Sequence, residues 1–182
     1  MSMLLPTRVW TRSLAVFFTM AWLMIPASAQ DFVPKPGVEQ EKICKLWEGE
    51  WTCTMEMMGT QGTGTASCRR IMNGFFLETN FKGEMMGIKF EGRGVAGYCP
   101  TRKVYQSTWI DSMSPSIFLQ TGKFTDDKTM VEEGEGPNMQ GQMEKMKTVT
   151  TFKDSDSIEM VMYKVEDGKE IKQMTIVYQR KK

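Results

Sequence analysis

The chain has 182 residues, with 23 basic and 22 acidic side chains, no histidine and a net charge of +1. Its basic residues cluster only at Arg180, Lys181 and Lys182, so neither nucleic acid nor an anionic membrane surface is an expected partner, because gripping phosphate needs concentrated positive charge. The lack of histidine excludes Ser-His-Asp and Cys-His catalysis, histidine-ligated zinc and a haem on a proximal histidine.

Residues 1–29 read as a secretory signal peptide. Arg8 and Arg12 precede an apolar stretch, Leu14 to Ile25, that is too short to span a bilayer comfortably. Ala27-Ser28-Ala29 supplies a small-x-small cleavage site. Cleavage after Ala29 leaves 153 residues, 21 basic and 22 acidic, a length that suits one domain with its own core. The expected location is the periplasm or the secreted fraction, without stable membrane insertion. Residues 30–48 read as a lead-in and short helix, the latter over Val38 to Leu46, where Val38, Ile43 and Leu46 are able to share a face.

Residues 49–182 read as a β-barrel domain. Segments rich in Thr, Val, Ile, Phe, Tyr and Met are cut into roughly ten strands by turn signals. The signals are Asn73-Gly74, Lys82-Gly83, Cys99-Pro100, Ser114-Pro115, Asp126-Asp127, Gly134 to Asn138, Asp154 to Asp156 and Asp167-Gly168. No internal helix long enough for a crossover is visible, so the strands should be antiparallel. An up-and-down barrel removes exposed edges and is the expected architecture, with a two-sheet sandwich as the alternative. Gly49-Glu50-Trp51 follows the helix and resembles the Gly-x-Trp motif of lipocalin-like barrels. In that superfamily the tryptophan plugs one barrel end and a basic residue of the last strand crosses its ring. The resemblance assigns that part to Arg180, at the end of a strand from Glu170.

Cys44, Cys53, Cys68 and Cys99 are an even set in an exported chain and read as disulfides. Strands Glu50 to Met58 and Thr63 to Met72, joined by Gly59-Thr60-Gln61-Gly62, would set Cys53 opposite Cys68 and leave Cys44 for Cys99. The spacings hold no C-x-x-C pair, so a thiolate metal site is not expected.

Several segments together resemble the bacterial family called domain of unknown function 1579. They are Leu46 to Trp51, Phe76-Leu77-Glu78, Gly83 to Gly87, Phe90-Glu91-Gly92, Gly97-Tyr98, Ser107 to Asp111, Thr148-Val149-Thr150 and Asp167-Gly168-Lys169. The resemblance implies a single-domain barrel akin to the lipocalin-like superfamily. It brings no established reaction and no catalytic residues.

The carboxylates Glu132-Glu133 with Glu135, Asp126-Asp127, and Asp154 with Asp156 lie in or beside turn signals and read as solvated turn residues. None has calcium-loop spacing. With no histidine and the cysteines paired, few acid/base groups remain, which disfavours an enzyme, and no cofactor is expected. Gly59-x-x-Gly62-x-Gly64 reads as a hairpin turn, since no helix follows to present its N-terminus to a phosphate. Met139-x-x-x-Met143-x-x-Met146 offers soft ligands for Cu(I), whereas Ile158, Met160 and Met162 alternate as one inward strand face. The strand Val104 to Asp111 puts Tyr105, Ser107, Trp109 and Asp111 on one face. Facing inward, they would line a ligand pocket; facing outward, or with Trp109 as core filler, they would not. Two functions stand side by side: a barrel binding a small apolar or amphipathic ligand, and a structural or interaction protein with a filled barrel.

Overall fold

A computed structural model describes residues 34–138 and 141–182; the signal-peptide and cleavage-site readings, and Met139, lie outside these described residues. One helix, α1 (Val38–Trp47), precedes ten strands. These are β1 (Gly49–Met57), β2 (Thr60–Ile71), β3 (Phe76–Met85), β4 (Ile88–Cys99) and β5 (Val104–Asp111). They continue as β6 (Ser114–Phe124), β7 (Thr129–Pro137), β8 (Met143–Phe152), β9 (Ser157–Glu166) and β10 (Lys169–Arg180). Each strand pairs antiparallel with its sequence neighbour, and β1 pairs with β10 to close the barrel. The expected up-and-down architecture is what forms. Among the described residues no helix is long and apolar enough to cross a membrane.

Turn chemistry sets the register and distinguishes the two barrel ends. At one end, β1–β2, β3–β4 and β9–β10 are joined by Met58-Gly59, Met86-Gly87 and Asp167-Gly168. All six residues have positive φ, from 50° to 79°, the two-residue turn whose twist matches that of the flanking strands. At the other end, the links β2–β3, β4–β5, β6–β7 and β8–β9 each span four residues. We call the first end the mouth. The second is the floor, because α1 packs there against β2, β3 and β4.

The Met58-Gly59 turn overturns the disulfide reading. It pairs Met57 with Thr60, so Cys53 faces Gly64 and Cys68 faces Gly49. The expected hairpin turned two residues later, because Gly59, Thr60, Gln61 and Gly62 look like a loop while Met58 carries no turn signature of its own. Cys53 and Cys68 are left four residues apart in register, roughly 13 Å along the strands, and no bridge spans that. No cysteine pair is joined, Cys44 with Cys99 included: all four are free, with Cys44, Cys53 and Cys68 buried.

Other boundaries also moved. Lys82-Gly83 and Gly134 to Pro137 sit within β3 and β7. Their glycines serve close packing: a Cβ at Gly83 would touch Phe81 and Phe90, and one at Gly136 would touch Phe118. In α1 the buried residues are Gln40, Ile43, Cys44 and Trp47, while Val38 is exposed.

Candidate functional site

The floor is aromatic. Trp51 is 0 % exposed, and its indole N–H donates to the Trp47 carbonyl at 2.8 Å. Trp47, the last residue of α1, meets the ring edges of Trp51, Phe152 and Tyr178 with centroids 6.3, 5.7 and 5.1 Å away. Arg180 and Trp51 are brought together: the guanidinium lies 4.1 Å from the centroid of the indole ring. The same guanidinium donates to the carbonyls of Glu48, Leu46 and Ser155, so it also satisfies carbonyls that the end of α1 leaves without partners. Arg70 on β2 pairs with Glu41 at 2.6 Å and Glu48 at 2.9 Å, tying α1 to the wall from outside.

Above the floor the barrel is hollow. A cavity of about 360 Å³ runs between the walls. Its apolar lining includes Phe81, Phe90, Trp109 and Phe118, with six methionines, among them Met146, Met160, Met162 and Met174. Met160 and Met162 thus share the inward face with Ile158. The polar lining converges from β5 to β8, as Ser107, Gln120, Glu132, Thr148 and Thr150. Among the described residues, Asp111 and Glu132 are the only acidic side chains in the lining, and no lysine or arginine is part of it.

The β5 face is placed residue by residue. Ser107, Trp109 and Asp111 line the cavity. Tyr105 is buried lower down, where its hydroxyl donates to the Glu39 carbonyl at 3.2 Å and contacts the Glu39 carboxylate. It is therefore a floor residue, with its phenol pushed well above its ordinary pKa by burial and by Glu39. The Trp109 indole N–H donates to Asp111 at 2.8 Å, and the other Asp111 oxygen accepts the Met113 amide at 2.8 Å. Asp111 thereby fixes the Trp109 ring over β4. That position exists because Gly92 has no side chain: a Cβ there would stand 2.2 Å from the ring. Arg69, Arg93 and Glu84 are all exposed, with Arg69 paired to Glu78 and Arg93 bonded to Asn80.

Glu132 is the residue that turn chemistry concealed. It is only 8 % exposed, and Ser107 donates to its carboxylate at 2.8 Å. The two strands that hold this pair are not neighbours; β6 lies between them. Glu132 crosses β6 at Gly122, its backbone partner, where a Cβ would stand 2.2 Å from the Val131 carbonyl oxygen and 2.6 Å from Glu132 Cγ. Gln120 crosses β7 in the same way at Gly134 and donates to the Thr148 hydroxyl at 2.8 Å. Burial raises the Glu132 carboxyl pKa, and the Ser107 bond only partly offsets this. Period-two spacing from Met130 through Glu132, Gly134 and Gly136 was the available signal, since Glu133 and Glu135 alternate outward and are exposed.

Burial pushes the Cys53 thiol up to about 12 and the Cys68 thiol to about 11, which leaves both inert as nucleophiles. Met143 is exposed and Met146 lines the cavity, so these thioethers of the proposed Cu(I) set face opposite ways. Among the described residues no cluster of three or more Cys, Asp or Glu side chains is placed to hold a metal. Met58, Met86 and Met113 in the β1–β2, β3–β4 and β5–β6 turns, and Met143 beside the β7–β8 link, are exposed at the mouth end and give the opening an apolar rim. A broader depression of about 630 Å³ on the outer wall, near Lys82, Glu84 and Lys89, is open to solvent.

The fold and this interior define a lipocalin-like closed barrel. Residues 36–180 match the family described as "Protein of unknown function (DUF1579)", and the chain belongs to that family. No curated protein matches it. Among solved structures it is similar to the S-type phycobiliprotein lyase CPES from Guillardia theta, at 10 % identity and a TM-score of 0.53, over 78 % of this chain and 92 % of that one. It is also similar to a redesigned β-barrel, at 15 % identity and a TM-score of 0.45, over 78 % of this chain and 96 % of that one. At 10 % identity the likeness to the lyase is one of fold.

Proposed function

We propose that the protein is exported and carries a small apolar or amphipathic ligand inside the barrel. The observation behind this reading is the lumen itself. Its volume of about 360 Å³ falls within the roughly 300–1,000 Å³ of small-molecule sites. Aromatic and thioether walls meet a few convergent polar groups, the composition such sites share. A filled barrel acting only through its surface would have no use for this space. The export part of the reading rests on Arg8, Arg12, the apolar run after them and Ala27-Ser28-Ala29.

Native mass spectrometry of protein from its own periplasm tests the reading, combined with uptake of the neutral fluorescent probe N-phenyl-1-naphthylamine. A co-purifying small molecule, or saturable probe uptake that Met160→Trp abolishes, supports it. An empty protein that takes up no probe overturns it. Recovery of the full-length chain with residues 1–29 attached in the cytoplasmic fraction would overturn the export part.

A further inference from the structure

We infer that the ligand is an amphipathic organic cation, a protonated or quaternary amine on an apolar body, whose charged head meets Glu132. This deepens the reading of the lumen as a ligand site and rests on it. Three independent observations converge.

The first is charge. Among the described residues, Asp111 and Glu132 are the acidic side chains of the lining, and no basic side chain lines it with them. An anionic ligand would enter a cavity with no cation to receive it and with a carboxylate already inside, which costs desolvation and repulsion together. The second is the isolation of Glu132. Its partner is a serine hydroxyl, and among the described residues it forms no ion pair. Buried carboxylates are ordinarily paired or bound to metal, and among the described residues Lys123 of β6 and Lys145 and Lys147 of β8 form no ion pair with Glu132. A ligand ammonium would supply the countercharge.

The third is the surrounding surface. Phe81, Phe90 and Trp109 form a continuous aromatic wall, with Phe81 stacked on Phe90 at 5.6 Å and edge-on to Trp109 at 6.4 Å. Aromatic faces attract organic cations while accepting their alkyl parts, and most strongly where water is excluded. Glu132 lies three residues from the floor end of β7 and five from its mouth end. The head therefore binds deep, and the apolar body runs past Met146, Met162 and Met174 toward the methionine rim.

Octylammonium, octanol and octanoate are matched probes of this inference, since they share a tail and differ in head charge. Titration of the full chain, followed by tryptophan fluorescence or calorimetry, should show octylammonium binding at least tenfold tighter than octanol, with octanoate weakest. Glu132→Gln should remove the preference for ammonium over octanol, with an unchanged far-ultraviolet circular dichroism spectrum showing that the barrel is intact. Equal binding of octanol and octylammonium, or an ammonium preference that survives Glu132→Gln, would overturn the cation and leave the barrel reading standing. Binding of none of the three would overturn both.

Discussion

Arg180 covers the Trp51 indole at 4.1 Å and is also its backbone partner across the β1–β10 seam. One side chain thus closes the barrel, shields its plug and caps the helix beneath it. Arg180→Ala should cost about 2–4 kcal/mol in urea unfolding, from a partly buried cation–π contact and the carbonyl bonds lost with it. Arg180→Lys should recover only part, because an ammonium lacks the planar fork. Gly49→Ala should be destabilising too, since its Cβ would stand 2.3 Å from the guanidinium on a backbone of φ +138°. The double variant should lose less than the sum of the two single changes; strict additivity would mean the residues act separately.

The floor is held by packing more than by charge. Trp47→Ala should cost about 3–5 kcal/mol, as expected for deleting a buried aromatic. Arg70→Ala removes two ion pairs with half-exposed carboxylates and should cost under about 1 kcal/mol. Thermal unfolding of the two variants would reverse this order if α1 were anchored electrostatically.

Glu132 gives the stability a definite pH dependence. Its raised carboxyl pKa means the native state keeps a proton that the unfolded chain has already lost. Stability therefore falls as pH rises from the ordinary carboxylate range through the folded value. Without ligand, Glu132→Gln should stabilise the protein at pH 8 by about 1–3 kcal/mol, the cost of a buried group short of partners, and should make little difference at pH 4. A variant that melts lower than wild type at pH 8 would contradict this.

The cysteines should behave as four thiols. Thiol titration in denaturant should count four, and dithiothreitol should leave the melting temperature unchanged. Under native conditions only the partly exposed Cys99 should react quickly. At pH 8 a thiol with a pKa of about 12, as for Cys53, is ionised in about one molecule in ten thousand. A stoichiometric disulfide in peptide mapping would overturn this.

The barrel was readable in the sequence because alternation and turn residues repeat along most of the chain. The Val104 to Asp111 strand shows where that stops: alternation puts Ser107, Trp109 and Asp111 on one face, and only the closed barrel turns that face to the lumen. Register was harder. It hinged on Met58, which takes a positive φ of 51° that methionine gives no reason to expect. The central polar residue was hardest. Gly134 and Gly136 look like a turn beside Glu132, yet in β7 they are the gaps that let Gln120 and Phe118 lie across the strand. One residue type writes both meanings, and only the neighbouring strand tells them apart.

The closing pair has a consequence for how the chain reaches this state. Nine of the ten strand pairings of the barrel join sequence neighbours and can zip together locally, while β1 must wait for β10, the tenth strand of the barrel in chain order. Until then the growing chain is an open sheet with two unpaired edges, and β1 displays Trp51, Cys53 and Met55 on the face that will later be covered. The two open edges of that sheet are thus removed only when the strand carrying Arg180 pairs with β1.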